Sequence, residues 1–550
     1  MKKMKSSIKN ILVVVLIVVG FSCSDYLDPE PFSFTSPENF YQTANDAEIA
    51  LAGVYNTLTA RNIQGFGNLS YFGRNMMEIM NGGTDECAIR SNLTDNRPAF
   101  WGNASFTSQN PELNQAWFFA YAGISRANFL LDNLPGIPDS DFNGERKIEI
   151  ESEARLLRGF FHMMLSMMHG AIPIYVESVG DPNQPRKQVQ EVYTQVIDDF
   201  QFAYDNLQSR GPALSSANKW TAAGFLVKVH TYLASMKLNG LSDFGYTPNS
   251  FEWVDANASY TAAVNISTDI VNNSGYILIN NYDYLFREST KQAQSEELMF
   301  GAEASSDATI NVITMLINCF IPQGNGVTVG GGSGWYRPFA ELYNSYNAND
   351  FRRDHNVSGN LGSNPSALNS IEIDGVRYYQ PNTIPGPNAF NMSIGKYRLK
   401  DPTQKSTPPW ASGMSIPLLR YADILLLRAE ALFFTGDEQA ARVLLSEVRQ
   451  RSVIAPAIVD DLNTAYFNAD FVEELLAERS RELCFENWRR IDLARFNKYD
   501  EKINALDPTV GAHNDVAAIL QQNWRSEKVW FPIPLQQIDL NSNLAQNPGY

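Results

Sequence analysis

Residues 421–450, "YADILLLRAEALFFTGDEQAARVLLSEVRQ", constrain the fold of this chain more than any other stretch. A first helix is predicted to run to Gly436, because glycine takes the left-handed conformation in which helices commonly end. Asp437 is placed to cap a second helix by accepting from the free amides of its first turn. Ala440, Val443, Leu444 and Val448 then recur at helical steps. Two helices joined by so short a turn must lie antiparallel and side by side.

The same periodicity recurs elsewhere. In "WFFAYAGISRANFLLDNL", Trp117, Tyr121 and Ile124 share a helix face, with Asn128 near its far end. In "ESEARLLRGFFHMMLSMMHG", Leu157, Phe161, Met164 and Met168 form an apolar stripe. Glu151, Arg155, Arg158 and His162 line another face, with Glu151 and Arg155 a favourable i,i+4 pair; Gly170 and Pro173 supply a stop. The small residues Ala429, Ala431 and Ala440 around the Gly-Asp turn resemble tetratricopeptide hairpins. No repeat of fixed period runs along the chain, so paired helices in a scaffold are expected rather than a regular solenoid. Between the helices, residues 64–111, 321–339 and 358–417 read as long irregular stretches. Loops of such length are functional or disordered as a rule, and their aromatic content argues against disorder.

At the N-terminus, Lys2, Lys3, Lys5 and Lys9 precede an apolar run over residues 11–21, the pattern of a secretory signal. The run is shorter than the roughly 17–25 residues of a membrane helix. It ends in "GFSCSDYLDPEP", where Cys23 offers a nucleophile for lipid attachment, so the mature chain is read as a lipoprotein beginning at Cys23; a plain cleaved signal is the alternative. The net charge is −17, and no Lys/Arg-rich block follows the leader, which argues against nucleic acid as a partner. Apart from Cys23, the cysteines are Cys87, Cys319 and Cys484. They are odd in number and lack C-x-x-C spacing, so neither a disulfide framework nor a zinc site is indicated. Cys484 reads as a small core residue.

Glu474, Glu478, Glu482 and Glu486 recur every four residues and place a ladder of carboxylates along one helix. Glycosidases need two carboxyl groups flanking the scissile bond, which makes Glu478 and Glu482 the most tempting catalytic pair. Arg479, Arg481, Arg489 and Arg490 nearby favour a structural ion network instead. "GNGVTVGGGSGW" lacks the lysine of a phosphate loop. There is no H-E-x-x-H and no G-x-S-x-G, and His162 and His169, two turns apart, read as ordinary helix residues. No catalytic residue, metal or cofactor is expected. What remains is a set of loop aromatics: Tyr71, Trp101, Trp335, Tyr336 and Trp410. Such rings suit stacking on the C–H face of a sugar, and each could equally plug its loop onto the scaffold. Trp117 and Trp488 are assigned to the core.

Several segments together carry a resemblance. "SPENFYQTANDAEIALAGVYNTL", the Trp117–Tyr121–Ile124–Asn128 pattern, "EARLLRGFFHMMLSMMHGAIPI", "KWTAAGFLVKVHTYLA", "RYADILLLRAEAL", "ERSRELCFENWRRIDLARF" and the closing "FPIPLQQIDLNSNLAQNPGY" follow in order. The chain resembles the SusD/RagB family of outer-membrane nutrient-binding lipoproteins of Bacteroidetes over essentially the whole mature sequence. His169 and Ala171 depart from the aromatic and acidic residues usual before the Ile-Pro. The resemblance implies a mainly α fold, a tetratricopeptide-like helix-pair scaffold with long loop-rich ligand-binding segments. It implies a signal peptide over 1–22 and two parts, 23–240 and 241–550, packed as one globular unit. It also implies a lipid-anchored protein at the outer membrane, facing the cell exterior, with membrane contact through the anchor alone. Asp25 and Asp28 in "SDYLD" resemble the acidic stretch that accompanies surface export. The implied partners are a glycan and a SusC-like TonB-dependent transporter, to which the poly- or oligosaccharide is delivered without hydrolysis. Capture of peptides or other oligomers is the alternative, and a surface glycosidase the third reading. Ligand residues carry over only as a rule, that loop aromatics near positions such as Trp101 and Trp335 build the platform.

Overall fold

The computed structural model describes residues 40–59, 70–90, 97–210, 216–305, 319–320, 333–360, 368–385, 389–398, 413–512 and 514–550. The leader, Cys23, Asp25, Asp28 and Trp410 lie outside them.

The hairpin forms as its sequence predicts. Helix Tyr421–Phe434 ends ahead of Gly436, whose φ of 100° only glycine adopts readily. Asp437 then accepts from the Ala440 amide at 2.9 Å to open helix Glu438–Gln450. The buried face of this second helix is phased differently from the expectation. Ala441, Leu445 and Val448 are buried, whereas Val443 is 61% exposed. One residue along a helix turns the face by about 100°, and the face that wins also buries Arg449 against Glu474 and Glu478.

The remaining long helices pack in succession. Helix Ala44–Asn56 is capped by Thr43 in a capping box with Asp46. Helices Pro111–Asn133, Arg146–His169, Val189–Asn206, Lys219–Asn239 and Ala256–Asn273 each lie against the next, and the last packs on Tyr421–Phe434. The stripe Leu157, Phe161, Met164 and Met168 is buried as its spacing requires, and Glu151 pairs with Arg155 at 3.2 Å. Arg158 and His162, on the other face, are buried too, because Val189–Asn206 covers that side; Arg158 holds Asp199 there at 2.7 and 2.9 Å.

Residues 64–111 are less irregular than their sequence reads. They hold a π-helical turn Tyr71–Asn75, helix Met76–Asn81, strand Cys87–Ile89 and helix Arg97–Gly102, elements too short to leave a legible period. The strands pair antiparallel in twos across long separations: Cys87–Ile89 with Tyr336–Pro338, Leu298–Ala302 with Ile416–Arg420, and Val357–Gly359 with Met392–Ile394. Ser370–Ile373 and Val376–Tyr379 form a local hairpin.

The glutamate ladder lies on helix Phe471–Leu483 and the turn after it, and all four carboxylates are buried. An ion network takes them up, though mostly with cations other than the sequence neighbours. Of those four arginines, only Arg481 reaches the ladder, at Glu478. Arg479 pairs with Asp423 and Asp492, Arg489 with Asp85, and Arg490 lies 3.9 Å from the Phe531 ring centroid. The ladder is neutralised by Arg352, Arg420, Arg449, Arg451 and Lys396, brought in from distant segments. Cys87, Cys319 and Cys484 are free thiols in the interior. Among the described residues no helix is long and apolar enough to cross a membrane.

Candidate functional site

The loop aromatics do not form one surface. Tyr71, in the π-helical turn, is fully buried against Phe72, Phe119 and Phe161. Trp101 is 1% exposed, stacked on Phe106 at 5.4 Å and edge-on to Phe531 at 5.9 Å. Tyr336 is fully buried, stacked on Phe320 at 5.2 Å, and donates its hydroxyl to the Pro98 carbonyl at 3.1 Å. In place of the ligand face that their loop-like sequence suggests, these three rings plug their segments onto the scaffold. Each belongs to a short regular element that turns its ring inward.

Trp335 is the exception. It stands just ahead of strand Tyr336–Pro338, whose three residues are all buried, and is itself only half-buried. The Trp335 carbonyl accepts from the Arg90 amide at 2.8 Å, which continues the pairing begun by Ile89 and Tyr336. Arg90 also donates Nη1 to the Ser333 carbonyl at 3.1 Å. Two residues on from Trp335, the buried Arg337 grips the Gly334 and Met392 carbonyls, both at 2.9 Å, and Ser393 Oγ at 2.6 Å. Burial, helped by the nearby Arg90 charge, lowers its pKa to about 10.

Arg74 lies over the Trp335 ring, its guanidinium carbon 5.3 Å from the centroid, a cation–π arrangement. Its Nε is 3.1 Å from Glu78 Oε1, and the Cys319 thiol donates to the same oxygen at 3.3 Å. Glu112 belongs to this neighbourhood, feeling the charges of Glu78 and Arg74. It is fully buried, neither carboxylate oxygen accepts a hydrogen bond from another described residue, and the half-exposed Arg97 stands 3.5 Å away. Burial is the main cause that raises its pKa, and Glu78 adds to it. Asn75 donates to Gln115 at 3.1 Å, leaving Asn75 Oδ1 and Gln115 Nε2 without partners among the described residues. Buried polar atoms are nearly always satisfied in native interiors, so a cluster with spare capacity beside an accessible ring has the makings of a recognition site. Its chemistry within reach of a ligand is an apolar ring face and guanidinium donors, while the acceptors that lack hydrogen-bond partners among the described residues are buried.

The sequence singles out Trp335 but not Arg74, Arg97 or Glu112. The i,i+4 spacing of Arg74 and Glu78 is the available signal. Arg97 and Glu112 meet only through the tertiary fold.

The family model described as "SusD family" matches residues 296–550, and the one described as "Starch-binding associating with outer membrane" matches residues 25–233. A SusD-like protein of Formosa agariphila is 24% identical over the whole of both chains. The starch-binding protein SusD of Bacteroides thetaiotaomicron is 24% identical over 85% of this chain and 84% of its own. Among solved structures, a SusD homologue from Bacteroides thetaiotaomicron superposes with a TM-score of 0.71 at 20% identity, covering 94% of this chain and all of that one. Surface glycan-binding protein A of the same organism, in complex with laminarihexaose, gives a TM-score of 0.70 at 18% identity over 92% of this chain and all of its own. Matched by family models in both halves and by relatives from end to end, and built on the same mainly helical fold, this chain belongs to the SusD family.

Proposed function

We propose that this chain is a non-catalytic, cell-surface binding subunit that captures poly- or oligosaccharides and delivers them to a SusC-like TonB-dependent transporter in the outer membrane. Cys23 serves as its lipid anchor, and the folded body faces the cell exterior. One observation carries the reading: the half-buried Trp335 ring stands against the Arg74 guanidinium at 5.3 Å. A ring face of this kind accepts the C–H face of a sugar, and Arg74, Arg90 and Arg97 supply donors for hydroxyls around it. Trp410, outside the described residues, is proposed as a further ligand contact on its sequence position alone. Relatives named for starch binding and for glycan binding support a carbohydrate over other oligomers. Hydrolysis is disfavoured by the fate of Glu478 and Glu482, whose oxygens are taken up by arginines in the interior. Affinity is expected to be roughly micromolar or weaker, because an open polar site recovers little of its buried area as binding energy.

The test is calorimetry of the chain from Ser24 onward against a panel of polysaccharides and their hexaoses, with unstructured peptides alongside and reducing-sugar release as a control. Binding to a glycan without cleavage, weakened about tenfold or more (about 1.4 kcal/mol) by Trp335→Ala, is the expected result. Binding to peptides alone, or release of reducing ends, would replace this reading.

A further inference from the structure

Helix Pro111–Asn133, residues 173–183 and helix Leu535–Leu540 enclose a groove of about 610 Å³. Sites for small ligands span roughly 300–1,000 Å³. None of the residues of the Trp335 corner lines this groove, so it stands apart from the site described above.

Its apolar wall is a corner of two tyrosines. Tyr121 and Tyr175 meet edge to face, with centroids 5.6 Å apart and planes at 82°. Both rings are half-buried. Each hydroxyl is tied to a backbone carbonyl, Tyr121 to Pro173 at 2.8 Å and Tyr175 to Pro182 at 3.1 Å. The segment that carries Tyr175 is itself held from below. Asn128, fully buried, donates to the Tyr175 and Glu177 carbonyls at 3.0 and 3.2 Å and accepts from Arg158 at 3.0 Å. Rings fixed at both ends lose little freedom when a ligand arrives, and this preorganisation favours binding. At the rim, Phe118 adds a ring face that is 51% exposed.

The other wall mixes Leu540 and Leu544 with polar groups, and its one charge is an acid. Gln537 and Asn541 contribute amides, and the exposed Glu177 contributes a carboxylate. The Gln537 and Asn541 amide nitrogens already donate, to Asn114 and to the Gln184 carbonyl, both at 2.9 Å, which leaves their oxygens as the acceptors that face a ligand. The Asn183 side chain is exposed at the mouth and makes no hydrogen bond among the described residues. Among the described residues the lining holds no lysine, arginine or histidine, which disfavours an anionic ligand. A fitting ligand presents an apolar face to the tyrosines and neutral hydroxyls to the amides and Glu177. We infer that this groove is a second sugar-contact site, taking a neutral pyranose segment of an oligosaccharide independently of the Trp335 corner.

The test fills the groove from a position that folding does not depend on. Ser125 lines the groove and is exposed on its helix, so Ser125→Trp places an indole in the groove without disturbing the core. Laminarihexaose and maltohexaose serve as probes. Binding to the full mature chain, Trp335→Ala, Ser125→Trp and the double variant is followed by calorimetry and saturation-transfer NMR, with thermal unfolding as the check on folding. The expected result is residual hexaose binding in Trp335→Ala that weakens about tenfold or more when Ser125→Trp is added. Equal binding by Trp335→Ala and the double variant overturns the inference, as does loss of all hexaose binding in Trp335→Ala alone; in that last case the Trp335 reading still stands. Loss of binding in Ser125→Trp with none in Trp335→Ala supports the groove and removes the Trp335 corner instead.

Discussion

Arg352 donates Nη1 to Glu478 Oε1 at 2.8 Å although the residues stand 126 positions apart and both side chains are fully buried. The same guanidinium holds Asp350 at 2.8 Å and Glu482 at 3.0 Å, while Arg449 and Arg481 complete the shell of Glu478 at 2.8 and 2.9 Å. Burial alone would push the Glu478 carboxyl up, but the three arginines outweigh it and hold the pKa well below the usual range. The network ties helix Phe471–Leu483 to helix Glu438–Gln450 and to the segment around Arg352. Removing one member strands its partners as buried charge, at a cost of about 3–5 kcal/mol. Glu478→Gln and Arg352→Leu are therefore each expected to lose that much stability in urea unfolding. A loss below about 1 kcal/mol, the scale of an exposed ion pair, would mean the glutamates are not structural and would reopen a catalytic role.

Gly123 lies where helices Pro111–Asn133 and Arg146–His169 approach closely. A Cβ added there would sit 2.3 Å from Phe161 Cε2, and Phe161 is itself fully buried. Gly123→Ala is expected to destabilise by about 1–3 kcal/mol through overpacking. Gly53, in helix Ala44–Asn56, has open space where a Cβ would stand, with no atom within 4 Å. Gly53→Ala should therefore stabilise by about 0.4–1 kcal/mol. Opposite signs in thermal unfolding check the pair; a stabilising Gly123→Ala would contradict the close helix crossing, and a destabilising Gly53→Ala the open space at that position.

The helical scaffold is legible in the sequence because it depends on local rules. Gly436 and Asp437 mark the hairpin turn, and the Leu157–Met168 stripe marks a buried face, with no knowledge of partners. What a side chain meets across the fold is not local. An arginine such as Arg449 reads as a surface residue, yet its pairing with Glu474 and Glu478 helps set the phase of its helix. Arg479 and Arg489 stand beside the glutamates in sequence and turn to aspartates elsewhere. The site shows the same limit. Trp101 and Tyr336 sit in elements of six and three residues, too short to reveal which way a ring faces. Trp335 stands out as a loop ring from sequence alone, whereas Arg97 and Glu112 come together only in three dimensions.

His162 is fully buried on helix Arg146–His169, and neither ring nitrogen has a hydrogen-bond partner of good geometry among the described residues. Burial, with the Arg158 charge adding to it and the Arg158 backbone opposing, lowers its pKa to about 3. An unfolded imidazole titrates near ~6.5. Below that pH the unfolded chain takes up a proton that the folded chain refuses, so stability is fully present above it and falls as pH drops toward the folded value. The loss from His162 by pH ~5 is about 2 kcal/mol. His162→Leu removes the titration. Its stability relative to the parent should rise by about 2 kcal/mol between pH ~7.5 and ~5. Melting curves that shift in parallel at both pH values would contradict the assignment.

Trp101 and Trp335 are both tryptophans in loop-rich segments, and the fold gives them opposite surroundings. Trp101 fills the space between Phe106 and Phe531. Trp101→Ala therefore leaves a cavity, and a loss of about 3–5 kcal/mol is expected, as for large-to-small changes in a core. Trp335 is half-buried, and its partner beyond the core is the Arg74 guanidinium. Trp335→Ala forfeits that cation–π contact, worth about 0.5–1 kcal/mol at an exposed site, and should leave the fold intact. Glycan affinity should move the other way, falling about tenfold or more for Trp335→Ala and staying unchanged for Trp101→Ala measured well below its lowered melting temperature. Calorimetry and thermal unfolding on the same two variants separate the effects. Equal stability losses would mean that Trp335 is another core plug, and a binding loss confined to Trp101→Ala would move the platform to the far side of the helix Arg97–Gly102.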